Sequence, residues 1–312
     1  MTGGAFAELP GWRKLLITLG ISLLSAMIFS LIGMLISYIF FQINIFSDQP
    51  AIDNLKNPDV IASYKIIQAL GGHIGMFIVP SFICALLFSR RIYDFLSLRK
   101  ISKPISLITL LLITLTSVPL INWMVEWNSR LVLPEFMKPI EIWMKQSEKD
   151  AEQITDAFLN VSTLSGLFVN LMVIAMLPAI GEELMFRGIV QRILVNSIGN
   201  YHAGILISAM LFSAIHMQFY GFLPRMMLGI YFGYMLYWSR TIWLPVIAHF
   251  INNASAVVFA FLLKENLTTF NPDSIGTQDE NISIMLLSVL LTAMLLFHLY
   301  RTEKIQNNRT SN

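Results

Sequence analysis

Eight stretches of the chain are apolar for roughly the thickness of a bilayer's hydrocarbon core, with polar residues between them. They cover residues 15–42, 66–88, 105–125, 162–181, 203–219, 222–239, 242–263 and 282–300. A helix needs about 20 apolar residues to cross about 30 Å of hydrocarbon. The pattern therefore predicts an all-α, polytopic membrane protein of about eight transmembrane helices. The first stretch is too long for a secretory signal and lacks a small-residue cleavage site, so it is expected to remain as a helix. Residues 136–158 follow a different pattern. Phe136, Ile140, Trp143, Met144, Ala151, Ile154 and Phe158 form a helical stripe opposed by Glu141, Lys145, Glu148, Lys149, Glu152 and Asp156. This is an amphipathic helix starting near Pro139, expected to rest at the bilayer interface.

No repeat of 20–50 residues breaks the chain into units. It reads as one continuous membrane domain in three parts: 1–161, 162–264 and 265–312. The loop 265–281 reads as an exposed connection and the tail 301–312 as solvated.

Composition agrees with the pattern. Of the 312 residues 55% are hydrophobic and 13% charged, against roughly 25% charged in soluble domains. A net charge of +2 gives no reason to expect nucleic acid as a partner. The single cysteine, Cys84, sits in an apolar run and reads as a small buried hydrophobe. With the N-terminus cytoplasmic and the spans alternating, 13 of the 21 lysines and arginines fall on the cytoplasmic side, most densely at 90–103. The positive-inside rule thus favours a multi-pass protein of the cell (inner) membrane with both termini in the cytoplasm.

The informative residues are polar groups at membrane depth, where one charge costs about 2.5–3.5 kcal/mol on insertion scales. They concentrate in the second half of the chain: Glu182, Glu183, Arg187, His216, Arg225, His249, Asn252 and Asn253. Helical spacing sorts them. Glu183 and Arg187, four apart, share a face and can neutralise each other. Glu182 is turned roughly 140° from Arg187 and is left as a free carboxylate. His249 and Asn253 share a face, as do Phe212 and His216. If the three helices converge, they bring together one acid, two imidazoles and one amide. A carboxylate with an imidazole can activate water or hold a divalent metal that does so. The remaining imidazole and amide can donate to an oxyanion. Such a set suits hydrolysis of an acyl bond such as a peptide. Gly229 and Gly233 form a GxxxG pair suited to close helix packing. Arg225 is placed either to reach the interface or to reach inward to a carboxylate. His73 has no patterned partner, and His202 and His298 lie near helix ends, where interfacial solvation suffices.

The segments EELMFR (182–187), FSAIH (212–216) and HFINN (249–253) resemble, in order, the EExxxR, FxxxH and HxxxN motifs of the CPBP family. These are the CAAX proteases and bacteriocin-processing enzymes, also called the Abi family. The resemblance covers about 162–264. It implies an intramembrane endopeptidase similar to the type II CAAX prenyl endopeptidases. Glu182 and His216 would then activate water, His249 and Asn253 would form the oxyanion site, and Glu183, Arg187 and Phe212 would support them. The family is classed with metallopeptidases, so a divalent metal such as zinc on Glu182, His216 and His249 is an open expectation. The implied partners are membrane lipid and a protein or peptide substrate, lipidated or not. Two other classes compete. A silent binding or immunity protein would be free to lose Glu182, His216, His249 and Asn253. A transporter would tend to show related halves, whereas the polar residues here crowd into one.

Overall fold

The computed structural model describes residues 3–44, 55–98, 103–277 and 282–309. Arg99 and Lys100 of the basic cluster, and 310–312 of the tail, lie outside these described residues. Among them there are ten helices, two short 3₁₀ turns (Glu135–Met137 and Pro272–Ser274) and no strand beyond a single bridge between Gly3 and Ser89. The helices are α1 (Gly11–Phe41), α2 (Pro58–Phe88), α3 (Ile92–Phe95), α4 (Pro104–Ser129), α5 (Lys138–Leu159), α6 (Leu164–Ile198), α7 (Tyr201–Ala214), α8 (Phe222–Ser239), α9 (Trp243–Lys264) and α10 (Ile282–Arg309).

Each of the eight apolar stretches falls on a helix. Six of them (α1, α2, α4, α6, α9 and α10) are long and apolar enough to cross a membrane. The other two are limited for separate reasons. At 14 residues, α7 spans only about 21 Å, and α8 carries Arg225 and three tyrosines among its apolar positions.

Three boundaries differ from the sequence pattern. The fourth stretch does not stop at 181: α6 runs from a Thr163 cap, whose Oγ1 accepts from the Gly166 N–H, to Gly199 at φ +72°. It passes through Glu182, Glu183 and Arg187 because those charges are answered inside the bundle. The fifth helix ends before His216, with Met217 in the left-handed region at φ +55°. The last helix continues into the tail as far as Arg309, where Glu303, buried, accepts from the Ser106 hydroxyl and the Thr302 carbonyl accepts from Lys103.

The amphipathic helix is present as α5. Phe136 in the preceding turn, and Ile140 and Trp143 in the helix, face outward, while Glu141 is buried between Lys138 and Lys145. Lys138, Lys145, Lys149, Glu152 and Asp156 are exposed, and Phe158 near the end of the helix is buried; a helix with open apolar and charged faces suits the bilayer interface.

Small residues set the close packing. Helix α1 lies on α2 across Gly33, Gly71 and Gly75; a Cβ on Gly75 would come within 3.0 Å of the Ser25 carbonyl. The α8 pair Gly229 and Gly233 faces α7 and α6, with Ala209 and Ile205 against the two glycines. Two apolar clusters result. One gathers Phe77, Cys84, Phe88, Leu184, Phe186 and Ile189; the other gathers Leu110, Ile113, Phe232, Met235, Leu244 and Leu299. Cys84 is fully buried in the first.

Candidate active site

Helix α6 and helix α7 form a hairpin across Gly199 and Asn200. Glycine supplies the positive φ that ends α6. The Asn200 side chain accepts from the His202 and Ala203 N–H groups and so begins α7. Glu182 and His216 lie equally far along the chain from Gly199, on opposite arms. The hairpin therefore brings them to the same depth, midway along α6. His216 sits in the turn after α7, where its Nδ1 donates to the Phe212 carbonyl at 2.8 Å. That carbonyl is among those left orphaned at a helix end.

The Glu182 Oε2 atom lies 3.8 Å from His216 Nε2 and 3.9 Å from His249 Nε2. It is buried and has no hydrogen-bond partner. Both imidazoles are held from behind. His249 Nδ1 donates to Glu183 Oε1 at 2.8 Å, and Phe232 stacks on the ring at 5.2 Å. A carbonyl and an ionised carboxylate accept only. Each Nδ1 therefore carries the proton, and each neutral ring turns its Nε2 lone pair toward Glu182. Three proton acceptors converge on one gap.

Glu183 has two partners. Its Oε2 takes Arg187 Nε at 3.0 Å while its Oε1 takes His249. The carboxylate that spacing assigns to neutralising Arg187 thus also orients a histidine on another helix. The Arg187 guanidinium lies between the rings of Phe212 (4.5 Å) and Phe232 (5.3 Å) and donates to the Gly229 carbonyl at 3.0 Å. One turn on, Gln191 donates to the Gly233 carbonyl at 3.2 Å. The GxxxG pair hence does two things: it lets α8 approach, and it exposes two carbonyls to a polar ladder on α6.

Asn253 stands one turn from His249. Its Nδ2 donates to the Ile174 carbonyl at 3.2 Å, and its Oδ1 accepts from Asn252. Pro178 has no N–H to offer Ile174 four residues back, so Asn253 satisfies a carbonyl that the proline leaves free. One of the two amide hydrogens is used in this way, and the other is not. The helix is wound i→i+5 over 171–176 and again over 184–190, on both sides of the two glutamates. Such turns recur at functional sites.

The loop after His216 is pinned from several directions. Arg225 donates to the Gln218 side chain at 2.6 Å and to the Gln218 carbonyl at 3.3 Å. Asn128 of α4 donates to the Phe219 and Tyr220 carbonyls, and Trp143 of α5 packs on Phe219 at 5.2 Å. The His216 side chain is 26% exposed, against 8% for Glu182 and 6% for His249. It is the open side of the cluster.

Sequence spacing did not single out Phe232, Gln218, Asn128 or His73. His73 of α2 is buried with both ring nitrogens unpartnered, and its carbonyl is one of the atoms facing Gly181, next to Glu182. A lone histidine in an apolar helix carries no pattern that would have flagged it.

A metal fits the donor chemistry but not the spacing. Each histidine is backed at Nδ1 by an oxygen, as metal-bound histidines are. With ligand bonds of about 2.1 Å, separations of 3.8 and 3.9 Å need angles of roughly 130–140° at the ion, against about 109° for tetrahedral zinc. Among the described residues no group of three His, Cys, Asp or Glu is close enough to hold an ion. A water at about 2.8 Å from each atom subtends close to 90° and spans the gap.

Residues 164–255 match the family described as Rce1-like, Type II CAAX prenyl endopeptidase Rce1-like. The match contains all three motifs and the whole cluster around Glu182. No curated protein and no solved structure matches the chain.

Proposed function

From the match of residues 164–255 to the type II CAAX prenyl endopeptidase family, we propose that the chain is an intramembrane endopeptidase that cleaves membrane-associated or lipidated peptides with Glu182 as the base. The observation that carries this reading is the convergence of Glu182 Oε2 with His216 Nε2 and His249 Nε2 at 3.8 and 3.9 Å. A gap lined by three acceptors calls for a donor of two hydrogens, and water is one.

The steps follow from the residues. Water enters past His216, donates to Glu182 and to one Nε2, and presents its lone pair to the scissile carbonyl. Glu182 takes the water proton as the C–O bond forms, and later gives it to the departing amine as the C–N bond breaks. The oxyanion is met by the free amide hydrogen of Asn253, while His249, held at Nδ1 by Glu183, keeps its Nε2 on the water. General base catalysis by a placed side chain contributes about 10²–10⁴-fold, and one oxyanion donor about 10²–10³-fold. No step needs a metal.

The end of the bundle away from α5 holds Arg13, Lys14, Arg90, Arg91, Lys103, Arg192, Arg240 and Lys304. We place that end, and both termini, on the cytoplasmic face of a cell membrane.

The test is cleavage of a prenylated C-terminal peptide and of its unprenylated counterpart by the full chain in liposomes, wild type against Glu182→Gln. Loss of about 10²-fold or more on either peptide is expected, since glutamine keeps the shape and removes the base. Equal rates for the two enzymes would sink the mechanism.

A further inference from the structure

At the end of the bundle away from α5, helix termini crowd together. Ile242 donates its N–H to the Ser97 carbonyl, Trp243 Nε1 donates to Leu98, and Lys103 reaches Thr302. Between them lies a cavity of about 670 Å³ bordered by the ends of α3, α6, α8 and α10. It does not include Glu182, His216 or His249, so the function proposed above leaves it unexplained.

Its charge is unbalanced. Arg192, Arg240 and Lys304 line it against one described acid, Asp94. Arg192 is anchored, stacked over Phe95 at 4.9 Å with its Nη2 on Ser97 Oγ at 3.1 Å, yet its Nε is buried without a partner. Lys304 is steadied by the Tyr300 hydroxyl at 2.5 Å. Arg240 projects from the residue that ends α8 and is exposed. Aromatic rings complete the wall, with Tyr201 stacked on Tyr237 at 4.0 Å. Two net positive charges beside tyrosines at a helix-end level are the setting in which a membrane protein meets lipid headgroups.

We propose that this cavity binds the phosphodiester headgroup of an anionic lipid. The ligand chemistry is a phosphate oxyanion held by Arg192, Arg240 and Lys304. The volume selects the source: about 670 Å³ is within the range of small-molecule pockets, roughly 300–1,000 Å³, and far exceeds what a free phosphate fills. A glycerophosphate group with the start of its acyl chains uses that space, and the exposed ring of Tyr93 extends the wall toward the bilayer.

The test is native mass spectrometry of the full chain in detergent, titrated with dioleoylphosphatidylglycerol, dioleoylphosphatidylcholine or inorganic phosphate. One phosphatidylglycerol is expected to be retained in preference to phosphatidylcholine. Each cation near a membrane surface contributes about a fivefold share, so Arg240→Gln with Lys304→Gln should weaken retention roughly 30-fold. Lys304→Gln alone, at an exposed helix end, should cost about fivefold. Arg13→Gln with Arg301→Gln removes two charges outside the cavity and should change retention by less than about twofold. Equal retention of the two lipids, or equal loss in the two double variants, overturns the proposal. So does displacement of the lipid by inorganic phosphate or by an acidic peptide at equal concentration, which would assign the cavity to a soluble anion or a protein segment.

Discussion

Glu183 is the residue on which stability and chemistry meet, and Glu183→Gln separates the two. The carboxylate is fully buried and binds Arg187 at 3.0 Å and His249 at 2.8 Å. Glutamine keeps an acceptor for His249 but leaves the Arg187 guanidinium, itself 1% exposed, without a counter-charge. Removing one partner of a buried pair costs about 3–5 kcal/mol, which corresponds to a fall in Tm of roughly 6–20 °C at about 2–4 °C per kcal/mol. Replacing both partners by neutral groups is often close to neutral. Arg187→Met in the Glu183→Gln background should therefore restore most of the lost Tm. Activity should not return with it, because a neutral amide holds the His249 Nδ1–H more weakly than the carboxylate does; a deficit of about 10²-fold or more is expected. The assays are thermal unfolding in detergent and peptide cleavage on the same three preparations. A single variant that melts within about 3 °C of wild type, or a double variant no more stable than the single, would refute the pairing argument. Recovery of activity together with stability would refute the role given to the charge.

Three further outcomes follow from other contacts. Asn253→Ala strands the Ile174 carbonyl, costing about 1–3 kcal/mol; Pro178→Ala restores an N–H and should recover the Tm but not the activity, and recovery of both would reduce Asn253 to a structural role. Gly233→Ala puts a Cβ at 2.7 Å from both Gln191 Oε1 and an Ile205 methyl, an overpacking worth about 1–3 kcal/mol; a melt unchanged from wild type would show that α8 can slide away from α6 freely. Prolonged chelation of divalent ions should leave cleavage within about twofold, as the separations around Glu182 are too wide for ligands of one zinc; a loss reversed by added zinc would refute this.

The apolar runs were legible because spanning helices need them, and so was the pairing of Arg187 with Glu183 rather than Glu182, which depends only on helical rotation. What depends on a second helix was not. Spacing to Arg187 assigns Glu183 one partner, but its other oxygen belongs to His249, 66 positions away, and no local pattern reports that contact. The same holds for Asn253 under the Ile174 carbonyl and for His73 beside Gly181. The misplaced end of α6 has the same origin. Counting hydropathy residue by residue charges Glu182, Glu183 and Arg187 about 2.5–3.5 kcal/mol each, which argues for closing the span at 181. Inside the bundle Glu183 and Arg187 neutralise each other, Gly229 supplies a carbonyl and two phenylalanine rings cover the guanidinium. That part of the penalty is met jointly by α6, α7, α8 and α9. The Glu182 Oε2 atom is left buried without a hydrogen bond, as is Arg187 Nη1. A helix can carry such an atom at mid-depth when its neighbours have already neutralised the charges beside it, and in the mechanism proposed above the Glu182 atom is the one that holds water.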